Sequence, residues 1–220
     1  MRSEAETLRF LKEHRAFWEH DGDPRQPHVL ATHGDHLGVY VNWTPIVENP
    51  ALLERVCREL ARELATREGL DCYGRVVGPA HGANFLVYEM ARALTLRTGF
   101  PWRAGFTEPQ PDKSTLLKRF DVVNQPILVI DDALTTLEGS IAKTVAEVKR
   151  NGGKVLPFVA TLFNRSGLTR IGEREIVALI SRRLPAHQAG SCPLCAIGSK
   201  AIPAAKGNWE LLNGGWENTI

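Results

Sequence analysis

Residues 127–140, ILVIDDALTTLEGS, constrain the fold of this chain more than any other segment. Four apolar residues run directly into two carboxylates, Asp131 and Asp132, and a polar turn then leads into a helical pattern. A continuous apolar run of this length is typical of a strand that is buried on both faces of a parallel sheet. Ligands bind such sheets outside the carboxyl ends of the strands. We therefore expect the acidic pair at the ligand-binding edge of a parallel sheet.

The residues of this segment have the chemistry of a sugar-phosphate site. Carboxylates such as Asp131 and Asp132 accept hydrogen bonds from a sugar diol. Hydroxyls and main-chain N–H groups at the start of a helix hold a phosphate, because the helix start supplies unsatisfied donors and the positive end of a dipole. The spacing predicts a ligand with a ribose and a phosphate. The alternative is an ordinary buried strand followed by a polar turn.

Composition narrows the class of protein. The chain has 220 residues, which suits one domain or one domain with a small appendage. It is 43% hydrophobic and 24% charged, as is usual for a globular protein with a substantial core. The net charge of +2 argues against a binder of nucleic acid or of membrane surfaces. We expect a cytoplasmic protein, because the sequence shows neither a secretory signal nor an apolar stretch near the roughly 20 residues that span a bilayer.

The four cysteines do not form the pattern of a disulfide framework. Cys192 and Cys195 form a single Cys-x-x-C pair, which supplies two ligands, whereas a closed structural zinc site needs four. Cys57 and Cys72 lie elsewhere, and nothing in the sequence brings them near this pair. The sequence favours two reduced thiols in a turn over zinc, and it leaves the role of the pair open.

Strand and helix patterns alternate along the chain, which predicts a mostly parallel sheet with helices on its faces. The predicted helices follow Ser3, Asn49, Gly82 and Ser140. The predicted strands are residues 75–78, 102–107, 127–130, 155–163 and 175–180, with two short extended pieces between 29 and 42. The polar residues 108–118 indicate a mobile loop or a hairpin. Residues 183–220 have the composition of an irregular tail.

A second strand-to-helix junction, Pro79-Ala80-His81-Gly82, has small residues that permit close approach of a ligand and N–H groups that could hold an anion. The alternative is a tight turn that packs a helix on the sheet. Two anion sites at neighbouring strand ends would suit a substrate with a phosphate at one end and a pyrophosphate at the other. Arg165 follows the next strand, where a guanidinium can pair with a carboxylate or a base edge, or be a surface arginine in a turn.

The segment ILVIDDALTTLEGS resembles the 5-phosphoribosyl-1-pyrophosphate (PRPP) motif of type I phosphoribosyltransferases. The segments VVGPAHGANFLVYEMARAL, GFTEPQPDKSTLLKRFDV, ATLFNRSG and CPLCAIG are similar, in order and spacing, to segments of bacterial orotate phosphoribosyltransferases. GDHLGVYVN, with His36, Tyr40 and Asn42, is similar to the segment of that family that borders the base. The resemblance covers roughly residues 25–205.

This resemblance implies an α/β protein with the type I phosphoribosyltransferase-like fold, a central mostly parallel sheet flanked by helices. It implies a single domain over residues 1–220, with a core at about 50–182 and a small hood from about 1–48 and 183–220. The implied reaction converts PRPP and orotate into orotidine 5′-monophosphate and pyrophosphate, in pyrimidine biosynthesis. Family members are homodimers that use Mg²⁺, and the closing loop of one subunit serves the site of its neighbour.

The resemblance also implies roles for particular residues. Asp131 and Asp132 would contact the ribose hydroxyls, and Lys113, in the closing loop, is the implied catalytic cation. Thr135, Arg165 and Tyr40 would contact orotate. No protein ligand to a metal is implied, because substrate phosphates and waters hold Mg²⁺. The implied PRPP-binding residues are Asp131, Asp132, Ala133, Leu134, Thr135, Thr136, Gly139, Ser140, Pro79, Ala80, His81, Gly82, Lys118 and Arg119.

The sequence departs from the family in two places. The phosphate loop Thr-Thr-Gly-Gly-Ser is one residue longer, because Leu137 and Glu138 stand where one glycine is expected. The lysine-rich, histidine-containing closing loop of the best-known members is absent. Two alternatives therefore stay open at this point. One is a phosphoribosyltransferase for another nucleobase, and the other is a non-catalytic protein that binds PRPP or a nucleotide.

Overall fold

The structure is a computed structural model, and it describes residues 3–32, 34–112, 114–136, 138–204 and 207–214. The chain divides into two compact units. The first contains Ile46–Arg183 and the start of the chain, and the second contains Ala5–Pro45 and the residues from Leu184 onward.

The secondary structure of the described residues alternates between strands and helices. The helices are α1 (Glu4–Glu13), α2 (Thr44–Val47), α3 (Pro50–Leu64), α4 (Asn84–Thr98), α5 (Ser140–Arg150), α6 (Pro193–Ala196) and α7 (Asn208–Leu212), with a 3₁₀ helix at Ala189–Ser191. The strands are β1 (Phe17–Glu19), β2 (His28–Leu30), β3 (His36–Leu37), β4 (Val39–Val41), β5 (Gly74–Pro79), β6 (Trp102–Pro109), β7 (Thr115–Leu116), β8 (Pro126–Leu134), β9 (Lys154–Val155), β10 (Phe158–Asn164), β11 (Arg170–Ile171), β12 (Arg174–Ser181), β13 (Ala186–His187) and β14 (Ala201–Pro203).

Within the described residues, an eight-stranded sheet forms the centre of the first unit. Its strand order is β11-β12-β10-β8-β5-β6-β7, and β9 pairs with β8. The central pairs are parallel, whereas the edge strands β11 and β7 pair antiparallel with their neighbours. The prediction of a mostly parallel sheet flanked by helices is confirmed.

Strand β8 is longer than the sequence predicts, and it contains both acidic residues. The apolar run from Ile127 to Ile130 is fully buried, as the pattern of a central parallel strand requires. On one side the pairing with β10 continues as far as Asn164 opposite Leu134. On the other side the pairing with β5 reaches only Val77 opposite Val129. The last residues of β8 therefore extend beyond the paired part of β5.

Helices lie on both faces of this sheet. On one face Ile141, Val145 and Val148 of α5 form a core with Val77 and Val129. Alternate side chains of a strand point to opposite faces, so Leu128 and Ile130 face the other side, where α4 contacts β5, β6 and β8. Gly78 permits the close approach of α4, because a Cβ atom at this position would lie 2.6 Å from Val87 Cγ2.

Local sequence signals set the ends of several elements. Asn49 caps α3 by accepting hydrogen bonds from the N–H groups of Ala51 and Leu52. Gly99 ends α4 in the left-handed conformation, with φ of 78°. The predicted strand 155–163 is wrong in one respect: it is split into β9 and β10. Pro157 lies between the two strands and lacks an N–H for a sheet hydrogen bond.

The second unit contains short strands of two or three residues. Those that the structure describes form a sheet of order β13-β3-β2-β14 and a separate pair, β1-β4. Trp18, Val29, Leu37, Trp209 and Leu212 form its core. The prediction of an irregular tail after residue 183 is wrong, because the described part of this segment contains the strands β13 and β14 and three short helices.

In the part of the chain that the structure describes, no helix is both long enough and apolar enough to cross a membrane.

Candidate active site

The order in which the chain adds strands to the sheet of the first unit reverses between β5 and β8. From β5 the chain passes through α4 to β6 on one side, whereas from β8 it passes through α5 to β10 on the other. Ligands of open α/β sheets bind at the carboxyl ends of the strands at such a switch point. Two of the predicted segments, residues 79–82 and residues 131–140, start from these two strand ends.

Asp131 and Asp132 are neighbours in β8 but have different surroundings. Asp131 is 6% exposed, and its carboxylate accepts hydrogen bonds from Ser140 Oγ and from the N–H of Asp132, the latter at 2.9 Å. Asp132 is half-buried. Burial, followed by the charge of Asp132, raises the pKa of Asp131 to about 7, and burial also raises the pKa of Asp132. Each carboxyl group therefore keeps its proton to a higher pH than usual, and in the deprotonated form it can accept hydrogen bonds from hydroxyl donors that enter the site.

The turn after β8 presents hydroxyls beside the start of a helix. Thr135, Thr136 and Ser140 are exposed, and Ser140 is the first residue of α5. The first main-chain N–H groups of a helix have no partner within the helix, and the dipole there favours an anion. Glu138 is also exposed, whereas Leu137 lies outside the described residues. This arrangement has the donors and the polarity that a phosphate site needs.

The second predicted anion segment follows β5. Pro79 and Ala80 are half-buried, whereas His81 and Gly82 are exposed, and the peptide bond between Ala80 and His81 is cis. The Ala80 N–H donates to the carbonyl oxygen of Thr107 at 2.7 Å. This bond continues the pairing of β5 with β6 by one residue beyond the end of β5, before α4 begins.

Arg165 directly follows β10 at the same edge of the sheet, and its side chain is half-buried. Its N–H donates to the carbonyl oxygen of Leu134 at 3.0 Å. Buried Asn164 holds the turn, because it donates to the carbonyl of Leu168 at 2.7 Å and accepts from Ser166 Oγ at 2.6 Å. Two residues predicted to bind the base, Thr135 and Arg165, therefore start from adjoining strand ends.

The described residues at the two ends of the segment 108–118 pair as a hairpin, the second of the two forms that the sequence leaves open. The carboxylate of Glu108 lies 3.7 Å from Lys118 Nζ and 3.1 Å from Arg119 Nε. The sequence analysis did not predict Glu108 as a partner of these cations. Its opposite charge, at the other end of the segment 108–118, could have indicated this ion pair. Lys113, the predicted catalytic cation, lies outside the described residues.

The residues predicted to border the base from the N-terminal segment belong to the second unit. The Tyr40 ring makes an edge contact with the Trp209 ring, with centroids 6.0 Å apart. Asn42 Oδ1 accepts the N–H of Thr44 at 3.0 Å. His36 is buried, and its Nδ1 lies 2.8 Å from Nε2 of His28. The roles of these residues toward a base stay predictions.

Curated relatives of this chain share one name. The chain is 34% identical over 196 residues to the orotate phosphoribosyltransferase of Wolinella succinogenes, with 82% of this chain and 91% of the relative covered. It is 32% identical over 181 residues to that of Desulforamulus reducens, with 81% and 86% covered. The chain belongs to the orotate phosphoribosyltransferase family. No family model matches the sequence.

Solved structures of orotate phosphoribosyltransferases have the same fold. The enzyme of Mycobacterium tuberculosis in complex with Fe(III) dicitrate superimposes with a TM-score of 0.59 at 20% identity, over 81% of this chain and 95% of that one. The enzyme of Aeropyrum pernix gives a TM-score of 0.57 at 23% identity, over 79% and 92%. The predicted fold is therefore confirmed.

Membership in the orotate phosphoribosyltransferase family makes this protein an enzyme of the pentosyl-transferring class, as the sequence predicts. The first unit brings the acidic pair, the hydroxyl-bearing turn and Arg165 to one edge of the sheet. Which atoms of a substrate each of these residues contacts stays a prediction.

Proposed function

We propose that this protein transfers the 5-phosphoribosyl group from PRPP to orotate, giving orotidine 5′-monophosphate and pyrophosphate for pyrimidine biosynthesis. One observation carries the proposal: the acidic pair, the turn 135–140 and Arg165 adjoin at the switch point of a family member's sheet. We also propose that the whole chain acts as one phosphoribosyltransferase domain, with a core at about 50–182 and a hood from about 1–48 and 183–220.

PRPP binds along the carboxyl edge of the sheet. The carboxylates of Asp131 and Asp132 accept hydrogen bonds from the ribose hydroxyls. Residues 133–136, Gly139 and Ser140 hold the 5′-phosphate through hydroxyls and the N–H groups at the start of α5. Residues 79–82, after the neighbouring strand, hold the pyrophosphate. Lys118 and Arg119 exchange their contacts with Glu108 for the pyrophosphate, which carries more negative charge.

Catalysis stabilises the charges that develop when the bond between C1 of the ribose and pyrophosphate breaks. The ribose becomes positive, and the carboxylates of Asp131 and Asp132 lie beside it, whereas Lys113 faces the negative leaving group. Closure of the 108–118 hairpin excludes water, which otherwise competes with the base for C1. Because burial and the charge of Asp132 raise the pKa of Asp131, its carboxyl group stabilises the positive ribose only in the deprotonated form.

Orotate recognition follows from its carboxylate, which most nucleobases lack. The guanidinium of Arg165 can pair with that carboxylate through two parallel hydrogen bonds. The Thr135 hydroxyl is a second polar group at the adjoining strand end. This chemistry favours orotate over uracil, hypoxanthine or adenine.

Mg²⁺ is the proposed cofactor, and it enters with the substrate. It prefers oxygen ligands and usually keeps several waters, so phosphate oxygens and waters supply its first shell. The half-buried carboxylate of Asp132 fits this arrangement, because it can hold waters on the ion. When bound, Mg²⁺ neutralises the charge of the departing pyrophosphate.

The proposed assembly is a homodimer with shared active sites. Phe85, Tyr88 and Leu96 are 66%, 69% and 68% exposed along one face of α4, and a second subunit would cover them. Mixing Asp132→Asn with Lys113→Ala subunits tests the sharing, since random exchange should restore about one quarter of the activity if the loop acts in the neighbouring site. None of the four cysteines forms a disulfide, which supports the cytosol as the proposed compartment.

The test of the proposed reaction is pyrophosphate release from PRPP and Mg²⁺, with orotate, uracil, hypoxanthine or adenine offered singly. Release with orotate alone supports the proposal. Release with a different base would mean that the protein is a phosphoribosyltransferase for that base. Tight PRPP binding without release for any base makes it a PRPP-binding protein without transferase activity.

A further inference from the structure

Four potential metal ligands meet in the second unit. His28 begins β2, His36 begins β3, Cys192 precedes α6 and Cys195 lies within it. Their four ligand atoms all lie within 4.8 Å of one another. Three of the residues are buried and Cys195 is partly buried. The expectation that the Cys-x-x-C pair has only two ligands is therefore incomplete, because two histidines that the sequence did not connect with it supply the other two.

The distances within this cluster are close to those of a tetrahedron. A zinc ion with usual bond lengths holds its nitrogen and sulfur ligands about 3.6 Å apart and two nitrogens about 3.3 Å apart. Nε2 of His28 lies 3.7 Å from Cys192 Sγ and 3.6 Å from Cys195 Sγ. Nδ1 of His36 lies 3.2 Å from Cys195 Sγ and 2.8 Å from Nε2 of His28. Small outward movements of the two rings would admit the ion.

Neighbouring residues turn the lone pair of His28 toward this cluster. Ser199 Oγ donates its single proton to the carbonyl oxygen of Gln26 at 2.7 Å. It can therefore only accept from Nδ1 of His28, which lies 2.8 Å away. Nδ1 carries the proton, and Nε2 presents its lone pair to the other three ligand atoms. A hydrogen bond to the second ring nitrogen is the usual support for a metal-bound histidine.

The charge of the cluster also suits a divalent ion. Two thiolates and two neutral imidazoles around Zn²⁺ sum to zero, whereas two buried thiolates without an ion would be uncompensated. Within the described residues the cluster contains no carboxylate, and both cysteines are free. Two sulfur and two nitrogen ligands in a closed tetrahedral site select zinc over magnesium or calcium.

We propose that His28, His36, Cys192 and Cys195 bind one Zn²⁺ ion in a closed structural site. The site joins the strands near the start of the chain to α6 near its end, since His28 and Cys192 are 164 positions apart. Metal binding of this kind contributes directly to folding. The ion therefore holds the second unit together, and it takes no part in the transfer reaction.

The experiment is metal analysis of the full-length, untagged protein purified from zinc-supplemented cells under reducing conditions. We expect about one zinc per chain, with an X-ray absorption spectrum of two sulfur and two nitrogen neighbours. Cys195→Ser should lose most of the zinc, whereas Cys72→Ser, a cysteine of the first unit, should keep it. Removal of the zinc should lower the unfolding temperature by more than about 5 °C.

Cobalt substitution of the wild-type protein keeps the test decisive if Cys195→Ser does not fold. Tetrahedral cobalt with thiolate ligands gives intense visible bands and a sulfur-to-metal charge-transfer band, which would support the site. A weak octahedral spectrum, zinc below about one tenth per chain, a Cys192–Cys195 disulfide, or full zinc retention in Cys195→Ser would each overturn it.

Discussion

The main-chain N–H of Arg165 donates a hydrogen bond of 3.0 Å to the carbonyl oxygen of Leu134, the last residue of β8. This bond ties the start of the arginine turn to the strand that carries Asp131 and Asp132. The turn itself is held by the buried amide of Asn164. The main chain of Arg165 and the acidic pair therefore belong to one hydrogen-bonded pair of strands, β8 and β10.

Arg165→Ala should weaken the use of orotate far more than the use of PRPP. A charge-assisted hydrogen-bond pair contributes about 1.5–3 kcal/mol, so kcat/KM for orotate should fall roughly ten- to hundredfold. KM for PRPP should change less than about twofold. Steady-state kinetics with each substrate varied gives both values. Arg170→Ala, at an exposed arginine of β11, is the control, and equal losses for both substrates in Arg165→Ala would contradict the role.

Asp131→Asn should stabilise the ligand-free protein at neutral and alkaline pH while it impairs catalysis. Burial raises the pKa of Asp131 from its ordinary value of 3.8 to about 7. Between these values the folded state keeps a proton that the unfolded state has lost, so the stability of the wild type falls as pH rises through this window. Above about pH 7 the wild type has lost all of this stability. The side-chain amide in Asp131→Asn does not titrate, so the variant does not lose this stability as pH rises.

Melting curves at pH 5 and pH 8 measure this effect. The melting temperature of the variant should be at least about 2–4 °C above that of the wild type at pH 8, which is the shift for roughly 1 kcal/mol in a chain of this size. The difference should be smaller at pH 5. Asp71→Asn, at an exposed carboxylate of the first unit, is the control for the change of a carboxylate to an amide at the surface. A stabilisation that grows toward low pH would refute this account of Asp131.

The buried sheet could be predicted from the sequence because its signals are local. The run from Ile127 to Ile130 predicts the centre of β8, and Asn49 and Gly99 predict helix ends. The extension of β8 to Leu134 could not be predicted from the apolar run, because it depends on continued pairing with β10. Carboxylates such as Asp131 are unfavourable in a buried strand, so local preference indicates a turn where the structure has a strand.

The second unit could be predicted much less well. Strands of two or three residues are too short to show an alternating pattern. Isolated histidines such as His28 and His36 are seldom ligands, and their partner Cys192 lies more than 150 positions later in the chain. The pairing of β2 with β3 brings the two histidines together, and the pairing of β13 with β3 and of β14 with β2 brings the cysteines between β13 and β14 to them.

Glu138→Gln should lower KM for PRPP by about twofold to fivefold at low salt, because an exposed charge near a phosphate contributes only about 1 kcal/mol. The effect should shrink at high salt. Glu173→Gln, at an exposed carboxylate elsewhere in the unit, should leave KM unchanged. An unchanged KM in Glu138→Gln at low salt would mean that the turn 135–140 does not hold the phosphate.

Tyr88→Glu should convert the proposed dimer into monomers. A carboxylate buried against the partner is costly to desolvate, and Phe85 and Leu96 would lose the cover that Tyr88 helps to form. Sedimentation velocity measures the change in mass. Lys149→Glu, at an exposed position of α5, is the control for added negative charge and should leave the mass unchanged. A wild type that sediments as a monomer, or a Tyr88→Glu variant that stays dimeric, would exclude this face.

The most direct measure of whether Asp132 stabilises the positive ribose is the kcat of the variant Asp132→Asn. This half-buried carboxylate lies in the sequence between the buried Asp131 and the turn 135–140. The variant keeps the size of the side chain and removes its charge from beside the ribose. We expect kcat for orotidine 5′-monophosphate formation to fall by about a hundredfold or more, with a circular dichroism spectrum close to that of the wild type and a melting temperature that is not lower. An unchanged kcat in a correctly folded variant would contradict it.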